Sequence, residues 1–371
     1  MLSVDRAEGE AMTDVPKVAI ACQGGGSHAA FAAGVLRALL GPEMRDRFEL
    51  VALSGTSGGA ICASLAWSGL IAGDHTASID RLTGFWRDLR AHDLLDAAAN
   101  FWGLWMARLP VTAEVSPYFY EPAAEPRLRQ LLQQYLRLEV LPLPPARPPR
   151  PRLFIGAVDV LRGDRVVFEG ETLSYDEVIA SAAIPPLFRA VQAHGTLFWD
   201  GLFAANPPVR EFTTLPRTER PDAIWVVQIN PQQRAHEPRS MRDIIDRRNE
   251  LAGNLSLGQE LYFIQKVNAL LAEHEFLVAR YKPIQIRVVE LDIELDYPSK
   301  LDRSGELIEQ LMRHGEAHAA WFFDHRSEWP RVGTAPPRAV HPARIAAAVD
   351  SGTAAMRTED QLRHPRDGRP A

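Results

Sequence analysis

The segment "LVALSGTSGGAICASLAW" contains Gly55-Thr56-Ser57-Gly58-Gly59, a G-x-S-x-G pattern. A serine at the centre of that pattern can be a nucleophile if it sits on a sharp turn between a strand and a helix. The tight turn demands small neighbours two before and two after, which Gly55 and Gly59 supply. The helix that opens at Gly58 points free N–H groups back at the serine, and its dipole favours negative charge there. A serine nucleophile needs a base. "HGTLFWDGLFAANPPVREF" places Asp200-Gly201 directly after a short apolar run, although Asp-Gly is also the commonest turn dipeptide. A third feature is the glycine run in "AIACQGGGSHAAFAAGVL", Ala19 to Leu36. Backbone N–H groups crowded at such a turn face something negative, either a nucleotide phosphate or the oxyanion of a reaction.

These residues need elements to hold them. Val18–Cys22 and Leu50–Ser54 read as short buried strands. Ser27–Leu40, ended by Gly41-Pro42, and Gly58 to about Leu70 read as helices. Strand, helix, strand, helix predicts an α/β fold with parallel strands. Residues 74–150 change character, with aromatic-rich stretches that hold Trp86, Trp102 and Trp105. They predict a helical insertion with a buried face, or a lid for an apolar substrate. "LPLPPARPPRP", Leu141–Pro151, is too proline-rich for helix or sheet and reads as an extended linker. Strands resume in "RLFIGAVDV" and "DRVVFEG", a hairpin around Leu161–Asp164, then in "TLFWDG", "AIWVVQIN" and "PIQIRVVEL". "SYDEVIASAAIPPLF" reads as a helix stopped by Pro185-Pro186. A long helical stretch from Ser240 to Glu273 has breaks expected near Gly253 and Gly258, and an amphipathic helix runs from Leu301 to about His325. The chain beyond Trp329 reads as a loose tail.

Composition limits the class of function. The 371 residues are 46% hydrophobic and 24% charged, as in globular proteins that bury a sizeable core. A formal net charge of −6, without a dense basic patch, argues against nucleic-acid binding. The two cysteines, Cys22 and Cys62, read as buried free thiols, which fits a reducing compartment. The N-terminal stretch has no apolar core of a signal peptide, and no apolar run reaches the ~18 residues of a membrane span. The expected location is cytoplasmic, with peripheral lipid contact left open.

The glycine run after the first strand, the elbow at Ser57 and the strand-ending Asp200-Gly201 together resemble the patatin-like phospholipase family. The resemblance runs from about Pro16 to Asn230. It implies a three-layer α/β/α fold with a mostly parallel central sheet. It also implies a serine–aspartate dyad without histidine, with Ser57 as nucleophile and Asp200 as base. Gly24, Gly25 and Gly26 would form the oxyanion loop, with the Gly58 N–H as helper. Gly55, Gly59 and Gly201 would support the turns. "SAAIPPLF" is similar to a family segment that borders the active site. His28 and Ala29 depart from the pattern, since the family often carries Arg-Gly there; a cationic role for His28 depends on its protonation. The implied reaction is acyl-ester hydrolysis through an acyl-enzyme, on phospholipid, lysophospholipid or another lipid ester, with no cofactor and no metal. The domains expected are a disordered 1–15, a catalytic 16–235 with its insertion at 74–150, a mainly helical 236–330 packed on it, and a flexible 331–371.

Other readings compete. Gly24, Gly26 and Ala29 fit the dinucleotide fingerprint G-x-G-x-x-[GA], but the second strand ends in Ser54 where an acidic residue is required. A Ser-His-Asp hydrolase would use a later histidine such as His274 or His318. His314, His318 and His325 could share a helix face, for which a solvated face is the simpler reading than a metal site. A scaffold that keeps the fold without catalysis is the remaining class. Asp246, Arg247, Arg248 and Glu250 read as a solvated or ion-paired helix face.

Overall fold

A computed structural model describes residues 15–91, 96–98, 100–101, 116–119, 124–141, 151–185, 187–293 and 295–325. Eight strands form one sheet. They are β1 (Lys17–Cys22), β2 (Glu49–Gly55), β3 (Arg152–Asp159), β4 (Arg165–Glu169), β5 (Val191–Ala193), β6 (Thr196–Asp200), β7 (Ala223–Gln228) and β8 (Gln285–Glu290). In order of hydrogen-bonded neighbours the sheet runs β5-β6-β3-β2-β1-β7-β8, with β4 also paired to β3. β3, β2, β1, β7 and β8 are mutually parallel, while β4 and β6 run antiparallel to β3. The buried strands are nearly continuous runs of apolar residues, as parallel strands covered on both faces require.

Alternation along the strands separates two cores. Val18, Ile20 and Cys22 of β1, with Trp225 and Val227 of β7, face the larger core; Ala19, Ala21, Ile224 and Val226 face the smaller one. Helices α1 (Ala30–Leu39), α2 (Gly58–Ile71), α3 (His75–Leu89), α4 (Ala124–Tyr135), α5 (Tyr175–Ser181) and α8 (Gly305–Asp324) contribute to the first. α6 (Arg210–Thr214) and α7 (Met241–Glu273) cover the other through Phe212, Leu257 and Ile264. The fold is therefore a three-layer α/β/α sandwich with a mostly parallel sheet. Among the described residues no helix is long and apolar enough to cross a membrane.

α2 is buried from Gly58 to Gly69, so it is apolar around its whole circumference, unlike the amphipathic α1 and α8. Several elements differ from the expectation. The helix expected to run to Pro185 stops at Ser181, held at its start by a Ser174–Glu177 capping box. α7 continues unbroken through Gly253 and Gly258. Gly253 is there for close approach, since a Cβ would lie 2.6 Å from Asn206 Nδ2. Trp86 belongs to the core and so lines no lid, whereas Trp102 and Trp105 lie outside the described residues. Residues 1–14, most of the proline-rich linker (142–150) and the tail after 325 also lie outside them. β8, from the region expected to be mainly helical, extends the same sheet, and α8 packs on α1.

Candidate active site

The strand register explains how the two halves of the site meet. On β3, Ile155 pairs with Phe168 of β4 and Gly55 of β2; Ala157 pairs with Val166 of β4 and Asp200 of β6. A strand residue has one partner on each edge, so β2 and β6 share the edge of β3 opposite β4, end towards end. Ser57 lies two residues past Gly55, and Asp200 faces β3 two residues past Ile155. The two side chains therefore meet beside Gly156. The Ser57 side chain comes close enough to the Asp200 carboxylate to act on its acidity.

Ser57 is held on a strained turn. Its φ of 56° and ψ of −129° are left-handed values rarely adopted by a side-chain-bearing residue. Its N–H is fixed by the Ser181 carbonyl at 3.1 Å and by Ser181 Oγ at 3.0 Å. The Ser181 hydroxyl donates in turn to the Gly156 carbonyl at 2.6 Å, in the gap between β2 and β6. The turn closes only on small residues: a Cβ on Gly55 would overlap the Gly59 backbone.

Asp200 is almost wholly buried, at 1% exposure. Its Oδ1 accepts the Leu202 N–H at 2.8 Å, and its own N–H reaches the Ala183 carbonyl at 3.1 Å. Burial pushes its carboxyl up to about 7, with the Leu202 N–H and then the Ser57 side chain acting in the opposite direction. A carboxylate poised there exchanges protons readily near neutral pH.

The glycine run faces the elbow. A Cβ on Gly24 would sit 2.6 Å from Ser57 Cβ. The Gly24 N–H, however, donates to Asn206 Oδ1 at 2.7 Å, so it is already committed and is no donor to an oxyanion. The Gly25, Gly26 and Gly58 N–H groups make no hydrogen bond among the described residues. Gly26 has φ +60°, and a Cβ on it would overlap the Lys300 carbonyl. Gly201 lies against Gly156 and keeps the Asp200 turn close to β3.

Four buried amides brace this loop. Gln23 Oε1 accepts the N–H groups of Ile229 and Asn230 at 3.0 and 2.8 Å, and Gln23 Nε2 donates to Asn254 Oδ1 at 2.8 Å. Asn230 Nδ2 donates to the Gly24 carbonyl at 2.8 Å, completing with Asn206 a clamp on both polar groups of Gly24. Sequence reasoning missed Asn206, Asn230 and Asn254; the only signal was their place after Asp200, after β7 and beside Gly253. His28 is buried, and its Nε2 lies 2.7 Å from Ser299 Oγ. Burial first, then Lys300 and Arg234, push it down to about 3, so at neutral pH it carries no charge and the cationic role falls away.

The charged face expected on α7 is also largely buried. Asp246 and Glu250 are 2% and 1% exposed. Arg234 pairs with both, Lys300 Nζ lies 2.5 Å from Asp246 Oδ1, and Arg247 lies 3.2 Å from Glu250. Arg248 alone of the four is exposed. The late histidines are engaged elsewhere: His318 lies 3.2 Å from Asp292, and His274 packs beside Phe276. Cys22 and Cys62 are buried free thiols, and burial raises both.

A family model described as Patatin-like phospholipase matches residues 20–213. No curated protein matches the chain. The crystal structure of VipD from Legionella pneumophila is similar with a TM-score of 0.40 at 14% identity, covering 84% of this chain and 67% of that one. That of the type III effector protein ExoU gives 0.36 at 15% identity, covering 84% of this chain and 53% of that one. The chain spans about half the length of ExoU. With a model of that family matched over more than half its length, the chain belongs to the patatin-like phospholipases.

Proposed function

We propose that the protein is a serine-dependent lipid acyl hydrolase working through a Ser57–Asp200 dyad. The observation that carries this reading is that strand register brings Ser57, on its strained elbow, up to the buried Asp200 carboxylate, close enough to act on its acidity. Ser57 Oγ attacks the acyl carbonyl while Asp200 takes its proton. The oxyanion that forms is held by the N–H groups of Gly25, Gly26 and Gly58, which have no acceptor among the described residues. Asp200 returns the proton to the leaving alcohol, which departs from the acyl-enzyme. Water, deprotonated by Asp200, then releases the acyl group and regenerates Ser57.

Lipid esters, phospholipid or lysophospholipid first, are the substrate class that family membership favours. Phe203, three residues past Asp200 and 41% exposed, offers an apolar surface next to the site. Such a substrate brings the enzyme to a lipid surface. The test is a hydrolysis panel, from short p-nitrophenyl esters to phospholipids, on wild type and Ser57→Ala. Turnover by wild type alone is expected. Equal activity in the two proteins would sink the assignment.

A further inference from the structure

Away from the dyad, α8 carries His314 and His318, four residues apart and so on one face of the helix. Asp292 approaches them from the segment that follows β8. His314 Nε2 lies 2.7 Å and His318 Nε2 3.2 Å from the same oxygen, Asp292 Oδ1. One ligand atom from each residue can be chosen so that all three lie within 4.8 Å of one another. His325, at the end of the same helix, is turned away: its Nδ1 lies 2.8 Å from the Trp321 carbonyl.

A second observation separates this cluster from an ordinary ion pair. Two imidazoles crowd one carboxylate oxygen, while the other, Asp292 Oδ2, is buried with no hydrogen-bond partner among the described residues. The Asp292 side chain is only 6% exposed. A buried carboxylate oxygen without a donor is unusual in a folded protein. His314 is 21% exposed, so the cluster is open to solvent on one side and an ion can enter. The rings are also held in place: Phe31 of α1 packs on both, with centroids 5.8 and 5.6 Å away.

We propose that Asp292, His314 and His318 form a site for a divalent transition metal, zinc foremost. Two histidine nitrogens and one carboxylate are a set that zinc takes, with the fourth position left to water. Tetrahedral bonds of about 2.0–2.2 Å place the ligand atoms roughly 3.3 Å apart. Small side-chain rotations reach that spacing from the observed one. Each histidine would bind the ion through Nε2 as a neutral imidazole with its proton on Nδ1, and Asp292 supplies one negative charge. The ion would tie the segment after β8 to α8. That segment continues into Ser299 and Lys300, which contact His28 and Gly26.

The test is Zn²⁺ titration of the chelator-treated full-length protein by calorimetry, with Co²⁺ absorption reporting coordination. Wild type should bind one Zn²⁺ per chain, melt at higher temperature when loaded, and give the intense visible bands of four-coordinate Co²⁺. His314→Ala, at a partly exposed position, and Asp292→Asn should each weaken binding at least tenfold and lose the bands and the thermal shift. His325→Ala should bind as wild type does. Should Asp292→Asn fail to fold, His314→Ala decides alone. No stoichiometric binding by wild type, or undiminished binding by His314→Ala, would overturn the proposal.

Discussion

Asp200 meets Ser57 because β6 and β2 occupy the same edge of β3, one beyond the end of the other. Gly55 faces Ile155, and Asp200 faces Ala157 on that edge. The approach of the two residues is thus a consequence of strand register, fixed by hydrogen bonding along β3. The small residue Gly156 lies between them, and its carbonyl holds Ser181, which in turn holds the Ser57 N–H. A one-residue slip of β6 would turn Asp200 to the other face of the sheet and separate the pair.

The position of Asp200 sets the pH dependence. Its carboxyl, pushed up by burial to about 7, must be ionised to accept the Ser57 proton. With a neutral ester, kcat/KM should rise about tenfold per pH unit below neutrality and level off above about 7. A pH–rate profile checks this. A plateau reached already near pH 5 would show that Asp200 is not the titrating base.

The same burial makes Asp200 a stability liability. Its folded pKa lies above its unfolded value, so between about 4 and 7 the unfolded chain binds fewer protons than the folded one. Stability falls as pH rises through that window and is flat above it with respect to this group. Asp200→Asn removes the titration. It should be stabilised relative to wild type at pH 8 more than at pH 5, by on the order of 2–4 kcal/mol, while losing catalysis. Urea unfolding of both proteins at the two pH values measures the difference, and a difference of the opposite sign contradicts the assignment.

Gly26 tests the oxyanion loop. Alanine there is strained by φ +60° and collides with the Lys300 carbonyl. Gly26→Ala should lower kcat by about 10²–10³ with a smaller change in KM, since the donors act on the transition state. Steady-state kinetics on a p-nitrophenyl ester provides the check. Unchanged kcat would remove Gly26 from the site.

The buried ion network behind that loop should be costly to break. Lys300→Met leaves Asp246 and Glu250 with one cation fewer in a buried setting. About 3–5 kcal/mol of stability should be lost. Denaturant midpoints compared with those of Arg248→Met, an exposed change nearby, provide the measurement. Equal midpoints would show that the network is solvated.

Much of this was legible in the chain because its signals are local. β1, β2 and β7 are short apolar runs with turn residues after them, and Gly55-Thr56-Ser57-Gly58-Gly59 lies between a strand and a helix. What could not be read depends on contacts between distant segments. Gly253 and Gly258 suggested a break in α7, yet Gly253 is small because Asn206 presses against it. The Gln23, Asn206, Asn230 and Asn254 clamp joins four segments, and lone amides have no characteristic spacing. It is this clamp that commits the Gly24 N–H to Asn206. His28 had an open charge state until burial beside Lys300 made it neutral. His314 and His318 were visible as a spaced pair, but Asp292 comes from another element, and helical periodicity cannot reveal it.

The central claim is that Ser57 is a nucleophile activated by Asp200. Its most direct test is the rate of covalent labelling by a fluorophosphonate, with the adduct located by peptide mass spectrometry. The folded wild-type protein should be labelled at Ser57, Ser57→Ala should not be labelled, and Asp200→Asn should react at least a hundredfold more slowly. Absence of a Ser57 adduct in the folded protein, or labelling of Asp200→Asn at the wild-type rate, would contradict it.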